Sequence, residues 1–392
     1  MRIAFVDYVC HPDKPGTTGL SDVVWDMAGR LARLGDSVHV VAPYTVANMP
    51  DPAVHVHRFR LPPIGYRNIA GHVLIVLAAY RRLRSIGPVD VVHVPEYVSA
   101  PILAKLLRHT PVVFTEPGNI YERVAHGNPY DPITTAAFKL AARRAAASCA
   151  RLVATSDEMA RWWQWTGFSS ERVVRIPLGI DTRLFRHLGH AKALLNFEPR
   201  NHHLVYAARL SRENGADIAL NALALLRRSG RRAKLHVLGH GPERSSLTQL
   251  SRCLGISDDV IWHGWVDLGL LPAYYSAADV FLFSGRSGGT PRVLLQAMAC
   301  RAPVAASEIG GIVDHVEHEH TGLLFASGRC DQLAATLERL LSDRELRLRL
   351  ARNGEEYARR HVDWDVLVPR LRSEVYAPAV LACGIRQQAI NG

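Results

Sequence analysis

Ser284-Gly285-Arg286-Ser287-Gly288-Gly289-Thr290-Pro291-Arg292-Val293-Leu294-Leu295-Gln296-Ala297-Met298-Ala299-Cys300 is the stretch on which the fold turns. An apolar run at 280–283 leads into it, then a glycine-bearing loop, then residues of high helix propensity. That order predicts a buried strand, a tight connection and a helix. Thr290 suits the cap position and Pro291 the first helical position. Free backbone amides at such a helix start attract an anion. An ordinary strand–turn–helix has the same pattern, so the stretch alone leaves both readings open.

Working outward, the same alternation fills the chain. Strands are expected at 2–9, 37–43, 54–59, 89–93, 111–115, 151–155 and 173–177, with helices near 20–34, 70–86, 100–109, 132–148 and 156–166. The pattern then restarts with strands at 203–207, 234–238, 260–263, 280–283, 303–306 and 322–325. Helices near 215–229, 243–253, 270–277, 291–300, 311–317 and 331–341 separate them. Alternating strands and helices imply parallel sheets with crossover helices, and 392 residues exceed one ordinary core. The expected fold is therefore α/β, two doubly wound Rossmann-like domains. In such sheets ligands lie beyond the carboxyl ends of the strands. Three residues stand there: Arg209 after the strand at 203–207, and Gly289 and Thr290 before the helix near 291–300. The loop Gly16-Thr17-Thr18-Gly19 follows the first strand and offers amides to a phosphate.

Composition removes other classes. Hydrophobic residues make up 48% and charged residues 21%, as in a globular protein rather than a disordered one. The longest apolar run, 70–80, falls short of the roughly 20 residues that span a bilayer. The six cysteines (Cys10, Cys149, Cys253, Cys300, Cys330, Cys383) include no Cys-x-x-Cys pair, so no metal or redox site is expected. Without an apolar leader, and with reduced thiols, the expected location is cytoplasmic. No Gly-x-Gly-x-x-Gly or P-loop follows the first strand, which argues against dehydrogenase and NTPase readings. Asp363-Trp364-Asp365 has the spacing of a metal–diphosphate site but lies in a charged helical region, where a structural role is expected. The net charge of +11 is spread over many helices, so a solvated basic surface or attraction to anionic ligands is favoured over nucleic acid.

Taken together, the motifs resemble a family. Thr18-Gly19 before the first helix and Leu34-Gly35-Asp36-Ser37-Val38 after it are similar to segments of the retaining GT-B glycosyltransferases of family four (group 1), a family that includes antibiotic-pathway enzymes. So are Ile176-Pro177-Leu178-Gly179-Ile180-Asp181, Ala208-Arg209-Leu210-Ser211-Arg212-Glu213-Asn214-Gly215, Gly239-His240-Gly241-Pro242-Glu243 and Leu295-Gln296-Ala297-Met298-Ala299. Gly310-Gly311 and Thr321-Gly322-Leu323-Leu324 complete an ordered series over about 2–365. The resemblance implies two domains facing a cleft: 1–186 for the acceptor, 187–365 for the nucleotide sugar, and 366–392 returning as a helix to the first. It implies transfer of a hexosyl or pentosyl group from an NDP-sugar, UDP-sugar foremost, with no cofactor and no metal. The donor would meet Gly19, Arg209, Asn214, Gly289, Thr290, Arg292 and Gln296.

This chain departs from the family pattern at four positions. Gly288 and Gln296 stand where two glutamates are usual, Asn214 where a lysine is usual, and Pro117 where a histidine is usual. Gln296 can still bond ribose hydroxyls, whereas Asn214 brings no charge. A catalytically silent GT-B subunit that binds a nucleotide sugar or a partner is thus the alternative. An epimerase ranks lower, since its acids and histidines have no counterpart here. Acidic residues at the first domain's strand ends, Asp7, Glu96, Glu116 and Glu122, with Asp22 beyond, would favour a small polar, cationic acceptor such as an aminocyclitol. Glu116 or Glu96 could orient its hydroxyl, acting with Arg209 in catalysis.

Overall fold

The computed structural model describes residues 1–7, 19–43, 51–60, 69–95, 98–116, 132–287 and 289–391, excepting the side chains of 19–21, 69–72, 116, 132–138 and 386–391. The chain divides into two units: Met1–Leu178 with Trp364–Gly392, and Gly179–Asp363.

In the first unit the order is β1 (Arg2–Val6), α1 (Gly19–Arg33), β2 (Ser37–Ala42), β3 (Val54–Arg58), α2 (Ile69–Ser85), β4 (Val91–Val94), α3 (Ala100–Leu106), β5 (Val112–Glu116), α4 (Pro132–Ser148), β6 (Arg151–Ala154), α5 (Asp157–Trp165) and β7 (Val173–Arg175). They form one sheet in the order β3-β2-β1-β4-β5-β6-β7, and all its paired strands are parallel. Strands covered on both faces need apolar residues throughout, and Ile3, Ala4, Phe5 and Val6 of β1 are all fully buried.

The second unit runs through α6 (Ala191–Leu194), β8 (His202–Ala207), α7 (Ala216–Arg228), β9 (Ala233–Leu238), α8 (Arg244–Cys253), β10 (Val260–Gly264), α9 (Leu271–Ala277), β11 (Val280–Phe283), α10 (Arg292–Ala299), β12 (Val304–Glu308), α11 (Gly310–Val313), β13 (Leu323–Ala326), α12 (Cys330–Ser342) and α13 (Arg344–Tyr357). Its sheet is β10-β9-β8-β11-β12-β13, again parallel. The strand order reverses between β8 and β11, where a doubly wound sheet opens a ligand crevice. Helix α7 shows how sequence makes the layers. Asp217 sits in its first turn and Arg227 and Arg228 in its last, matching the helix dipole. Ile218, Leu220, Leu223 and Leu226 go into the core with β8 and β9.

Several expected boundaries shift by a few residues, two of them as follows. The helix expected at 311–317 ends at Val313, and the chain goes on through turns in which the Glu317 amide donates to Thr321 Oγ1 at 2.9 Å. The strand at 303–306 continues to Glu308, carried by its pairing with Ala326 of β13.

After Tyr357 the chain passes through one wide helical turn, Ala358–Val362, into α14 (Trp364–Arg370), a second wide turn (Leu371–Tyr376) and α15 (Ala377–Asn391). This tail packs on α1: Trp364 Nε1 donates to Asp26 Oδ2 at 3.1 Å, and Arg30 meets Asp365 at 2.9 Å. Asp363 accepts from the Thr182 amide at 3.1 Å and from its hydroxyl. The Asp-x-Asp pair is therefore engaged in structural contacts.

Candidate functional site

The carboxyl edge of the second sheet is built by backbone packed on backbone. After β8 the chain makes a short turn at Arg212–Asn214 and reaches Gly215 at φ +68°, where a Cβ would lie 1.9 Å from Ser284 O. After β9, Gly239 at φ +140° presses on Ala208 O, again 1.9 Å from an added Cβ, and an added Cβ on Gly241 would lie 2.2 Å from Leu210 O. After β12, Gly311 packs on the Gly289–Thr290 peptide, its Cβ position 2.5 Å from Thr290 N. Only glycine fits such contacts. The loops after β8, β9, β11 and β12 thus form one continuous edge, held further by Ser284 Oγ to Gly215 O at 2.7 Å and Ser307 Oγ to Gly285 O at 2.7 Å.

The candidate residues distribute along this edge. Arg209 follows β8, is exposed, and its guanidinium has no partner among the described residues. Asn214 Nδ2 donates to Arg209 O at 2.8 Å and to Ser211 Oγ at 3.2 Å. Gly289 and Thr290 close the loop after β11, and Arg292 opens α10. Pro291 rather than Thr290 occupies the cap position, with no side-chain cap. The Thr290 hydroxyl is drawn elsewhere, donating to Gly311 O at 3.1 Å and lying 3.1 Å from His315 Nε2. Gln296 is buried in α10 with the Tyr275 hydroxyl 3.4 Å from its Oε1, and its Nε2 is left as a donor. Gly288 lies outside the described residues.

In the first unit Gly19 opens α1, Glu116 ends β5 beside Ala154, and Asp7 is fully buried just after β1, its amide donating to Val41 O at 3.0 Å. Asp22 is exposed. Glu96, Pro117, Glu122 and the loop at 16–18 lie outside the described residues, and the Glu116 side chain is not described. Among the described residues no group of carboxylates, histidines and cysteines could hold a metal ion, and no helix is long and apolar enough to cross a membrane.

Two features escaped the sequence. Arg286, inside the glycine loop, grips Asp217 in the first turn of α7 through two bonds, 2.8 and 2.5 Å, and also donates to Arg212 O. Burial alone would raise the Asp217 carboxyl, but the Arg286 guanidinium outweighs it and holds the group below the usual carboxylate range. The pair ties the loop after β8 to the loop after β11. No local pattern in the sequence signals it. The second feature is a histidine ladder across β8, β9 and β10. Glu198 O accepts from His203 Nε2 at 2.9 Å, so His203 Nδ1 is an acceptor for His236 Nε2 at 3.0 Å. His236 Nδ1 in turn accepts from His263 Nε2 at 3.0 Å, and Tyr274 donates to His263 Nδ1 at 3.1 Å. One backbone carbonyl thereby fixes three tautomers. Burial, then the neighbouring His263, pushes His236 down to about 3.

An edge of exposed arginine, helix-start amides and a buried amide donor is suited to a phosphate-bearing ligand with hydroxyls. Comparison with known proteins places it. Two family models match in succession, Glycosyltransferase Family 4 over residues 17–184 and Glycosyl transferases group 1 over 192–357. The chain belongs to the group 1 glycosyltransferases, family four, with the GT-B fold. Among relatives, it is 32% identical over 206 residues to a GDP-mannose-dependent alpha-(1-6)-phosphatidylinositol monomannoside mannosyltransferase of Mycobacterium tuberculosis, covering 50% of this chain and 54% of that protein. It is 30% identical to the alpha-D-kanosaminyltransferase of Streptomyces kanamyceticus, over 61% of each chain. These alignments span only a little over half the length of either relative. A D-inositol 3-phosphate glycosyltransferase of Salinispora arenicola aligns over 98% of this chain and 93% of its own, at 28% identity. The fold matches sucrose-phosphate synthase of Thermosynechococcus elongatus at TM-score 0.79 and 21% identity, covering 100% and 99% of the two chains. It also matches Anabaena Alr3699/HepE in complex with UDP-glucose at 0.77 and 20% identity, over 95% and 98%.

Proposed function

We propose that this protein is a retaining glycosyltransferase that moves a sugar from an NDP-sugar, a UDP-sugar foremost, to a hydroxyl of a small polar acceptor. The observation that carries the reading is the glycine-packed carboxyl edge of the second sheet, which presents Arg209 and the start of α10 together. The second unit would hold the donor and the first the acceptor. Arg209 and the amides around Gly289, Thr290 and Arg292 face the diphosphate, and Gln296 bonds a ribose hydroxyl. Departure of the diphosphate concentrates negative charge, and fixed cations and amide dipoles stabilise that charge most where water is excluded. The bond from the anomeric carbon to the diphosphate oxygen breaks, and the acceptor oxygen bonds on the same face. The acceptor proton passes to the departing phosphate oxygen. Charge is neutralised by protein groups, so no metal is required in this scheme.

For the acceptor we infer a cationic, polyhydroxylated molecule such as an aminocyclitol. Glu116 closes a strand of the first sheet, Asp7 lies buried just after β1, and Asp22 stands exposed in the first turn of α1. A relative named for kanosamine transfer and several named for inositol 3-phosphate support a cyclic polyol or amino sugar. The test incubates the protein with UDP- and GDP-sugars, paired with amino-substituted and neutral cyclitols, in excess EDTA, and reads products by mass spectrometry. Transfer to the amino-substituted acceptor, persisting in EDTA and weakened in Glu96→Gln or Glu116→Gln, is expected. Equal use of neutral acceptors with both variants unaffected would remove the acceptor assignment. Donor binding without turnover on any acceptor would favour the silent-subunit reading that Asn214 and Gly288 suggest.

A further inference from the structure

Asn214 stands where the resembled family usually carries a lysine, and its side chain is spent on the chain itself. The Asn214 amide has two N–H bonds, and both stay inside its own loop, one to Arg209 O at 2.8 Å and one to Ser211 Oγ at 3.2 Å. What remains, Oδ1, accepts hydrogen bonds and offers nothing to a phosphate oxygen. The main chain is pinned around it. Ser211 N donates to Arg209 O at 2.9 Å, Asn214 N to Ser211 O at 3.0 Å, and the Tyr206 hydroxyl to Asn214 O at 2.8 Å. Tyr206 is fully buried in β8, so that last bond anchors the loop to the sheet core. Gly215, next along, is locked against Ser284. Arg209 thus has a free, exposed guanidinium on a main chain whose carbonyl Asn214 holds.

We infer that Asn214 is a positioning residue: it fixes the backbone from which Arg209 reaches the donor diphosphate and does not touch the donor itself. A lysine here would bring charge but lacks the planar pair of donors that closes the loop. The inference rests on the reading of Arg209 as a diphosphate contact, and the test separates the two.

The test is calorimetry of UDP binding to the full chain as wild type, Arg209→Ala, Asn214→Ala and the double variant, at low and moderate salt, with thermal midpoints confirming folded protein. Asn214→Ala is expected to weaken binding about fivefold, roughly what one lost hydrogen bond is worth. In the Arg209→Ala background it should add nothing, and the Asn214→Ala salt slope should fall toward that of Arg209→Ala. Non-additivity of this kind marks residues acting through one another. Tyr206→Phe frees the same loop from the core side and should weaken binding in the same direction, which keeps the inference testable should Asn214→Ala unfold. Wild-type affinity in both Asn214→Ala and Tyr206→Phe would overturn it. So would losses that multiply in the double variant, since Asn214 would then contact the ligand directly. Unchanged affinity in Arg209→Ala would instead remove the reading of the site on which the inference stands.

Discussion

An alanine at position 215 would set its Cβ 1.9 Å from Ser284 O, in a backbone region (φ +68°) that L-residues rarely adopt. Gly230 also has a positive φ, +86°, but nothing lies within 4 Å of its Cβ position. Comparing the two separates close packing from backbone preference. Gly230→Ala should lose on the order of 1 kcal/mol from the backbone alone. Gly215→Ala should lose clearly more and also weaken UDP binding, because the loops after β8 and β11 must part. Denaturant unfolding gives both values, and equal losses would mean that the contact with Ser284 carries no weight. These residues also mark how far the site was legible. Arg209 and Thr290 stood out because strand ends and a helix start follow from local pattern, whereas Gln296 came only from the family resemblance. Thr290 was misread as a cap because its hydroxyl partners, Gly311 and His315, come from segments that only tertiary folding brings near. The Arg286–Asp217 grip spans 69 residues and leaves no periodic trace.

At the scale of elements, the strands were readable because most are covered on both faces and so are apolar throughout, as Val280–Phe283 is. The histidines of β8, β9 and β10 are among the exceptions, polar groups placed inside that layer. His236 is 3% exposed, and Phe197 stacks on it at 4.1 Å and on His203 at 4.2 Å. His236 is held neutral in the fold and takes a proton on unfolding at any pH between about 3 and the ordinary histidine value of 6.5. The unfolded chain binds more protons across that window, so stability is full above 6.5 and falls as pH drops. A group of this kind contributes a slope of about 1.4 kcal/mol per pH unit. His93, fully buried and also pushed down to about 3 by burial, acts in the same direction. Unfolding free energies measured between pH 7 and 5 should therefore decline, and decline by about one proton less in His236→Gln. An identical pH slope in the variant would show that His236 titrates normally in the fold.

On the scale of the whole molecule, a net charge of +11 accompanies a protein whose proposed substrate is an anion. Several of the arginines are already paired with carboxylates: Arg231 with Glu338, Arg286 with Asp217, Arg372 with Asp36 and Arg30 with Asp365. Net charge steers a ligand toward the surface, but a free guanidinium at a built edge decides where it stays. Arg209 is such a group, placed by β8 and held by a loop without spare slack. The measurement that tests this most directly is calorimetric titration of UDP into wild type and Arg209→Ala. A folded variant should bind at least about tenfold more weakly, a loss of about 1.4 kcal/mol. Unchanged affinity in that folded variant would contradict the assignment of the donor diphosphate to this edge.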